Sequence, residues 1–192
     1  MVLDAIRSRR AVRSYAPGRV GETLILELLD AAVRAPTAMH REPWAFVVVQ
    51  DAGALQRYSE RAKAMLREPE VAVGWGSAGP SRHDHPSMLD DPAFNIFHDA
   101  GTLIVVCRTD ATRFAEADCW LAAGTLMIEA AARGLGTCCI GFAVPVLNAP
   151  DVRRELGIPP GAAAVAPVVV GVPRGVPPPV TRRPPEILRW MK

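Results

Sequence analysis

Three guanidinium groups fall within five residues near the N-terminus of this chain, at Arg9, Arg10 and Arg13. A guanidinium is a planar fork of donors that engages two oxygens at once, so a tight cluster suits a phosphate or a carboxylate. A solvated basic helix end would carry the same residues, and the cluster alone leaves both readings open. A second basic pair, Arg182 and Arg183, sits in a proline-rich tail. Between an apolar helix and an apolar strand lies the break Pro36, Thr37, Ala38, Met39 and His40, and a loop feeding a strand is a good place to hold a ligand. Two further groupings carry less. His83, Asp84 and His85 lack the ligand count and rigid spacing of a zinc centre, so no metal is expected. Cys138 and Cys139 sit on an apolar run with no histidine nearby in sequence, and read as packing residues rather than nucleophiles.

The elements that position these side chains follow from apolar periodicity. Val2, Leu3, Ala5 and Ile6 predict a short helix over 2–9 with its basic end at the C-terminal turn, where cations complement the helix dipole. If that turn continues, Arg13 lies one helical turn beyond Arg9. Residues 21–34 predict a helix apolar nearly all round, buried or shared with a partner chain. A β-branched strand over 45–50 with Trp44 at its head is followed by a helix over 51–67, for which Asp51 is the N-cap. Residues 68–91 have no sustained period and read as an irregular lid. Strands follow over 102–107, from Gly136 to about Gly141, and over 162–172, with helices over 114–133 and 148–156. Small residues on the 114–133 helix suit a dimer interface, cofactor packing or a monomer core. Pro167 fits an edge or a bulge better than a central ladder. Residues 173–192 form an extended arm, with a last helical turn over 186–192. Strands alternating with helices suggest, by pattern alone, a parallel doubly wound sheet.

Composition bounds the rest. At 192 residues the chain fits one domain, 1–192. Its 49% hydrophobic and 22% charged content is that of a soluble globular protein. A net charge of +2 is too small for a protein that lives on a nucleic-acid backbone or an anionic membrane. The absence of a secretory signal, of a long apolar run and of a disulfide pattern among Cys107, Cys119, Cys138 and Cys139 points to a cytoplasmic setting.

Taken in order, the Arg-Arg-x-x-Arg segment, the Ala-Pro-Thr loop, the Pro-Trp-x-Phe strand, the small-residue helix, the Gly-Leu-Gly-Thr turn and the Arg-Arg-Pro tail resemble the FMN-dependent nitroreductase family almost end to end. The resemblance implies an α+β fold, with a mostly antiparallel sheet wrapped by helices, in an intertwined homodimer with FMN at the interface. It implies that Arg9 and Arg10, with Arg182 and Arg183 on the arm, clamp the flavin phosphate, and that Arg13 lies at the pyrimidine edge. Pro36, Thr37, Ala38, Met39 and His40 match the shelf along the ring, given by the other subunit; Ile140 and Gly141 match the opposite ring face. Trp75 falls where substrate-facing lid residues are placed. Three positions depart from the family: Ala11 replaces a serine, His40 an asparagine and Glu42 a glutamine. The activity implied is electron transfer from NADH or NADPH through FMN to a nitroaromatic or quinone. The alternatives are a flavin-dependent dehalogenase, a flavin-consuming relative, or a non-catalytic flavin-binding protein.

Overall fold

The computed structural model describes residues 2–68 and 89–192. Four strands, β1 (Trp44–Val49), β2 (Thr102–Arg108), β3 (Gly136–Cys139) and β4 (Ala163–Gly171), form one sheet in the order β1-β2-β4-β3. Every neighbouring pair is antiparallel. The antiparallel α+β arrangement implied by the resemblance is therefore what forms, and the parallel sheet suggested by alternation is not. β2 explains why the pattern misleads. Its Leu103, Val105 and Cys107 face one apolar cluster while Ile104 and Val106 face another. A strand covered on both faces reads as an unbroken apolar run, which is common in parallel sheets, but coverage says nothing about direction.

The covering helices are α1 (Val2–Ser8), α2 (Glu22–Ala32), α3 (Ala52–Leu66), α4 (Ala115–Ala132), α5 (Val144–Leu147) and α6 (Pro150–Glu155). α3, α5 and α6 bury Leu55, Tyr58, Val146, Leu147 and Val152 against one face of the sheet. α2 and α4 bury Ile25, Leu28, Cys119, Ala122 and Leu126 against the other. On α4 the buried stripe Ala115, Cys119, Ala122, Leu126 and Ala130 recurs at three and four residues, the spacing of one helix face. Asp51 caps α3 as expected, its carboxylate accepting from the Ala54 amide at 2.6 Å. The 21–34 helix is not buried all round: Leu26 and Val33 of that stretch are exposed.

Three local expectations change. α1 stops at Ser8, so Arg13 is not a helical turn beyond Arg9. Pro167 lies in central strand β4, opposite Val105 of β2, rather than on an edge. The ladder tolerates it because its carbonyl accepts from Ile140 at 2.8 Å, which places its missing N–H on the same side, where β3 has ended at Cys139. A register shift between Val106 and Cys107 bends the β2–β4 ladder next to it. No helical turn forms over 186–192. Ile187, Leu188, Trp190 and Met191 are all exposed, and a single turn with nothing to bury its apolar side is not stable alone.

Candidate functional site

Beyond Ser8 the chain runs extended and is stitched to the far edge of the sheet. The Val12 amide donates to Thr137 of β3 at 3.0 Å, Ala16 donates to Val172 at 2.9 Å, and Arg174 donates to Ser14 at 2.9 Å. Two glycines make this seat possible. Gly136 and Gly171 pair across β3 and β4. A Cβ on Gly136 would lie 2.8 Å from the Val12 side chain, and one on Gly171 would lie 2.9 Å from the Tyr15 ring. Val12 and Tyr15 are buried there, and the Tyr15 hydroxyl donates back to the Val12 carbonyl at 2.7 Å. Burial holds the phenol well above its usual pKa.

This seat lays the segment from Arg9 to Arg13 along β3. Burial raises the Cys138 thiol, and Arg13 and Arg9 are near enough to pull against that rise. Burial and Cys138 push Cys139 up to about 11, opposed by Arg9. Ile140 and Gly141 follow at once, turning out of the strand into a short 3-10 turn, Gly141–Ala143. Arg9 and Arg13 thus flank β3, and Ile140 and Gly141 follow at its end. Arg10 is partly engaged by the local backbone. Its Nη1 donates to the Arg7 carbonyl at 2.5 Å and to that of Arg9 at 2.9 Å, satisfying carbonyls that α1 leaves open at its end. Its Nε is buried without a partner.

Arg13 also opens on a cavity of about 260 Å³, bordered by Tyr15, Phe94, His98, Asp99 and Arg174. The wall formed by residues 93–99 was not legible as part of a site. His98 and Asp99 both take left-handed backbone, at φ 55° and 56°, and the His98 ring meets Phe94 edge-on at 5.9 Å. Burial, helped by Arg13 and opposed by Asp99, lowers the His98 pKa to about 4. Near neutral pH the cavity therefore presents an uncharged imidazole and two guanidiniums on its border, suited to a planar ligand edge rich in acceptors. The available signal was the polar run around Ile96 and Phe97, since Asn, Asp and His are the non-glycine residues that most often tolerate left-handed backbone.

The shelf is built differently. Met39, His40 and Glu42 all have positive φ, at 56°, 52° and 46°. Such backbone persists where the surroundings over-determine it. Here Asp118, a buried carboxylate on α4, accepts from the Ala38 amide at 3.2 Å, and the Thr37 hydroxyl accepts from the Glu42 amide at 3.4 Å. Pro36, Met39 and His40 stay exposed. Arg41 pairs with Asp110 at 3.5 Å rather than with Glu42. Asp118 is a further residue that sequence reasoning missed, although an acidic residue inside the apolar stripe between Ala115 and Ala122 was visible.

The shelf and the arginine seat lie at opposite corners of the sheet. Trp44, on edge strand β1 just past the shelf, pairs with Arg108 of β2. Thr137, beside Ala11, pairs with Val170 on edge strand β3, and Val170 pairs with Thr102. Three inter-strand steps separate the two edges, about 14 Å, and the six residues from Thr102 to Arg108 add about 20 Å along the strands. The arm leaves the sheet next to Arg13 and from Val180 onward is exposed throughout; among the described residues neither Arg182 nor Arg183 has a hydrogen bond or ion pair. Trp75, His83, Asp84, His85 and most of the expected lid lie outside the described residues. Within them no group of histidine, cysteine or acidic side chains is placed to hold a metal, all four cysteines are free thiols, and no helix is long and apolar enough to cross a membrane.

The Nitroreductase family matches residues 6–172. An NADH dehydrogenase of Thermus thermophilus is 30% identical over 186 residues, covering 90% of this chain and 88% of its own length. An iodotyrosine deiodinase of Thermotoga neapolitana is 24% identical over 176 residues, covering 84% and 88%. Among solved structures, a nitroreductase with bound FMN from Bacteroides fragilis shares the fold with a TM-score of 0.81 at 23% identity, over 99% of this chain and 98% of that one.

Proposed function

The chain belongs to the nitroreductase family, and from that premise we propose that it binds FMN and passes electrons from NADH or NADPH to a small acceptor such as a nitroaromatic or a quinone. The observation that carries this reading is the backbone seat that lays Arg9 to Arg13 along β3, the strand that leads directly into Ile140 and Gly141. Those residues suit the cofactor. A phosphate needs charged donors, and Arg9 and the orphaned buried Nε of Arg10 supply them. A pyrimidine edge needs donors beside its carbonyl oxygens, and the cavity of Arg13, His98 and Arg174 supplies those.

When bound, FMN supplies the electron-carrying chemistry itself. The chain's own residues bind, orient and tune. Arg9, with Arg182 and Arg183 delivered on the arm, holds the phosphate, and Arg10 contributes its free donor. Arg13 places positive charge against the ring edge, which favours negative charge developing there. Gly141, without a side chain, lets a backbone amide come close to the ring. No protein side chain is assigned as a general acid; solvent supplies protons.

The active species in this reading is a homodimer. The Pro36–His40 shelf adjoins the β1 edge of the sheet and the arginines of its own chain adjoin the β3 edge, about 14 Å away across three inter-strand steps, which favours a shelf that serves the flavin of a second copy. Exposed Val2, Leu3 and Ile6 on α1 and Trp120 and Leu121 on α4 offer apolar surface for that partner. Four free thiols suit a reducing, cytoplasmic setting.

The purified protein should be yellow, release FMN on denaturation, and bleach when NADH or NADPH is added without oxygen. A nitroaromatic or quinone should then restore the colour. A colourless protein that fails to take up added FMN would sink the reading, and bound FMN that neither nucleotide reduces would make the chain a binding protein instead. The likeness to an iodotyrosine deiodinase favours a halogenated phenol as the second acceptor class, and faster turnover with it than with nitroaromatics would exchange the two assignments.

A further inference from the structure

We propose that Lys63 is a positioning residue for the cavity: from the buried side of α3 its ammonium fixes the backbone of residues 91–94, and through it the place of His98 opposite Arg13. This rests on the reading above that the cavity of Arg13 and His98 receives FMN.

Lys63 is only 2% exposed, and a buried ammonium persists only when its donors are met. Nζ donates to the Phe94 carbonyl at 2.9 Å and to that of Asp91 at 3.4 Å, and it pairs with Glu60 at 3.0 Å. Its neighbours on the same helix face extend the grip. One turn earlier, the buried Ser59 hydroxyl accepts from the Ile96 amide at 3.0 Å, and two turns earlier the Gln56 side chain accepts from Asn95 at 3.0 Å. One turn later, Arg67 donates to the Leu89 carbonyl at 2.7 Å and pairs with Asp90 at 3.1 Å. Positions 56, 59, 63 and 67 recur at three and four residues, so they form a single rail along α3.

That rail grips the chain immediately before the cavity wall. Asn95 closes the corner, its side-chain oxygen accepting from the Phe97 amide at 2.8 Å, and Ile96 and Phe97 sink into the core. His98 and Asp99 then emerge in left-handed backbone, a conformation that needs its flanks held. A different stripe of α3 serves packing alone: Arg57 pairs with Glu155 and Arg61 with Asp151, tying α3 to α6. The two stripes separate positioning from stability on one helix.

The test titrates FMN into Lys63→Met, Lys63→Arg, Arg61→Met and His98→Ala proteins, following flavin fluorescence, the visible circular dichroism of the bound flavin, and Tm. Lys63→Met should weaken FMN binding about tenfold and change the dichroism, because small misplacement of a contact group is expensive. Lys63→Arg should restore most of both. Arg61→Met should lower Tm without moving either flavin signal. If Lys63→Met does not fold, Ser59→Ala, which removes only the acceptor for Ile96, gives the same readout. A His98→Ala protein with altered flavin signals beside Lys63→Met or Ser59→Ala proteins with wild-type signals overturns the proposal. If His98→Ala also leaves them unchanged, the cavity is not the ring site. A wild-type protein that takes up no FMN removes the underlying function and the proposal together.

Discussion

The two corners of the sheet that carry the candidate residues are held by different physics. The arginine segment is seated by backbone. Paired glycines at Gly136 and Gly171 let Val12 and Tyr15 pack directly on the strands, and main-chain hydrogen bonds to Thr137 and Val172 fix the register. The shelf is seated by side chains. Three non-glycine residues in left-handed backbone are held by one carboxylate, Asp118, and one hydroxyl, Thr37. The first corner is part of the fold and yields only if the sheet edge changes. The second is a strained turn over an adjacent helix, and two side-chain acceptors, Asp118 and Thr37, brace its shape.

The largest effect should therefore come from filling the glycine seat. Gly136→Val would force its side chain into Val12, and such overpacking costs about 1–3 kcal/mol. Because the displaced segment carries Arg9 and Arg13, FMN binding by fluorescence titration should be nearly abolished as Tm falls. Wild-type affinity in this variant would break the contrast between the corners. Asp118→Ala should come next. It leaves the half-buried Ala38 amide without its acceptor, a loss of about 1 kcal/mol, and should weaken FMN binding while Asp118→Asn keeps part of it.

Mixing sharpens the comparison. Combined Arg9→Ala and Asp118→Ala proteins should recover about a quarter of wild-type sites after subunit exchange, since each mixed dimer holds one intact site if the corners come from different chains. No recovery by activity assay would place both corners in one protomer's site. The phosphate clamp gives a smaller effect: Arg9→Ala and Arg182→Ala should each weaken FMN binding by about tenfold or more, the loss typical of a charged hydrogen bond.

The smallest expected effect is a pH dependence from the cavity beside the arginine corner. The folded protein lowers the His98 pKa from 6.5 to about 4, so the unfolded chain takes up a proton first as pH falls. Stability associated with His98 is fully present above pH 6.5 and is lost progressively toward pH 4. In FMN-free protein, the Tm of the wild type should fall more between pH 7 and pH 4 than that of His98→Gln, and parallel curves would place His98 in water.

Much of the molecule was legible in the residues. The apolar runs located all four strands, Asp51 declared the cap of α3, and the ordered Arg, Ala-Pro-Thr and Gly-Leu-Gly motifs pointed to the family that matches residues 6–172. Local chemistry suffices for these, because propensity, capping and periodicity act over a few residues. Strand direction was beyond its reach, since β2 buried on two faces reads the same in either sense. So was the fate of Arg10, whose Nη1 is taken up by the Arg7 and Arg9 carbonyls where α1 stops. Asp118 beneath Ala38 joins residues 80 apart in sequence, and Lys63 under Phe94 joins residues 31 apart. The sequence by itself determined which residues have the chemistry to hold an anionic, planar cofactor. Only the tertiary structure decided which of them meet, because a hydrogen bond or a glycine contact depends on where two distant segments come to rest, and no local pattern encodes that distance.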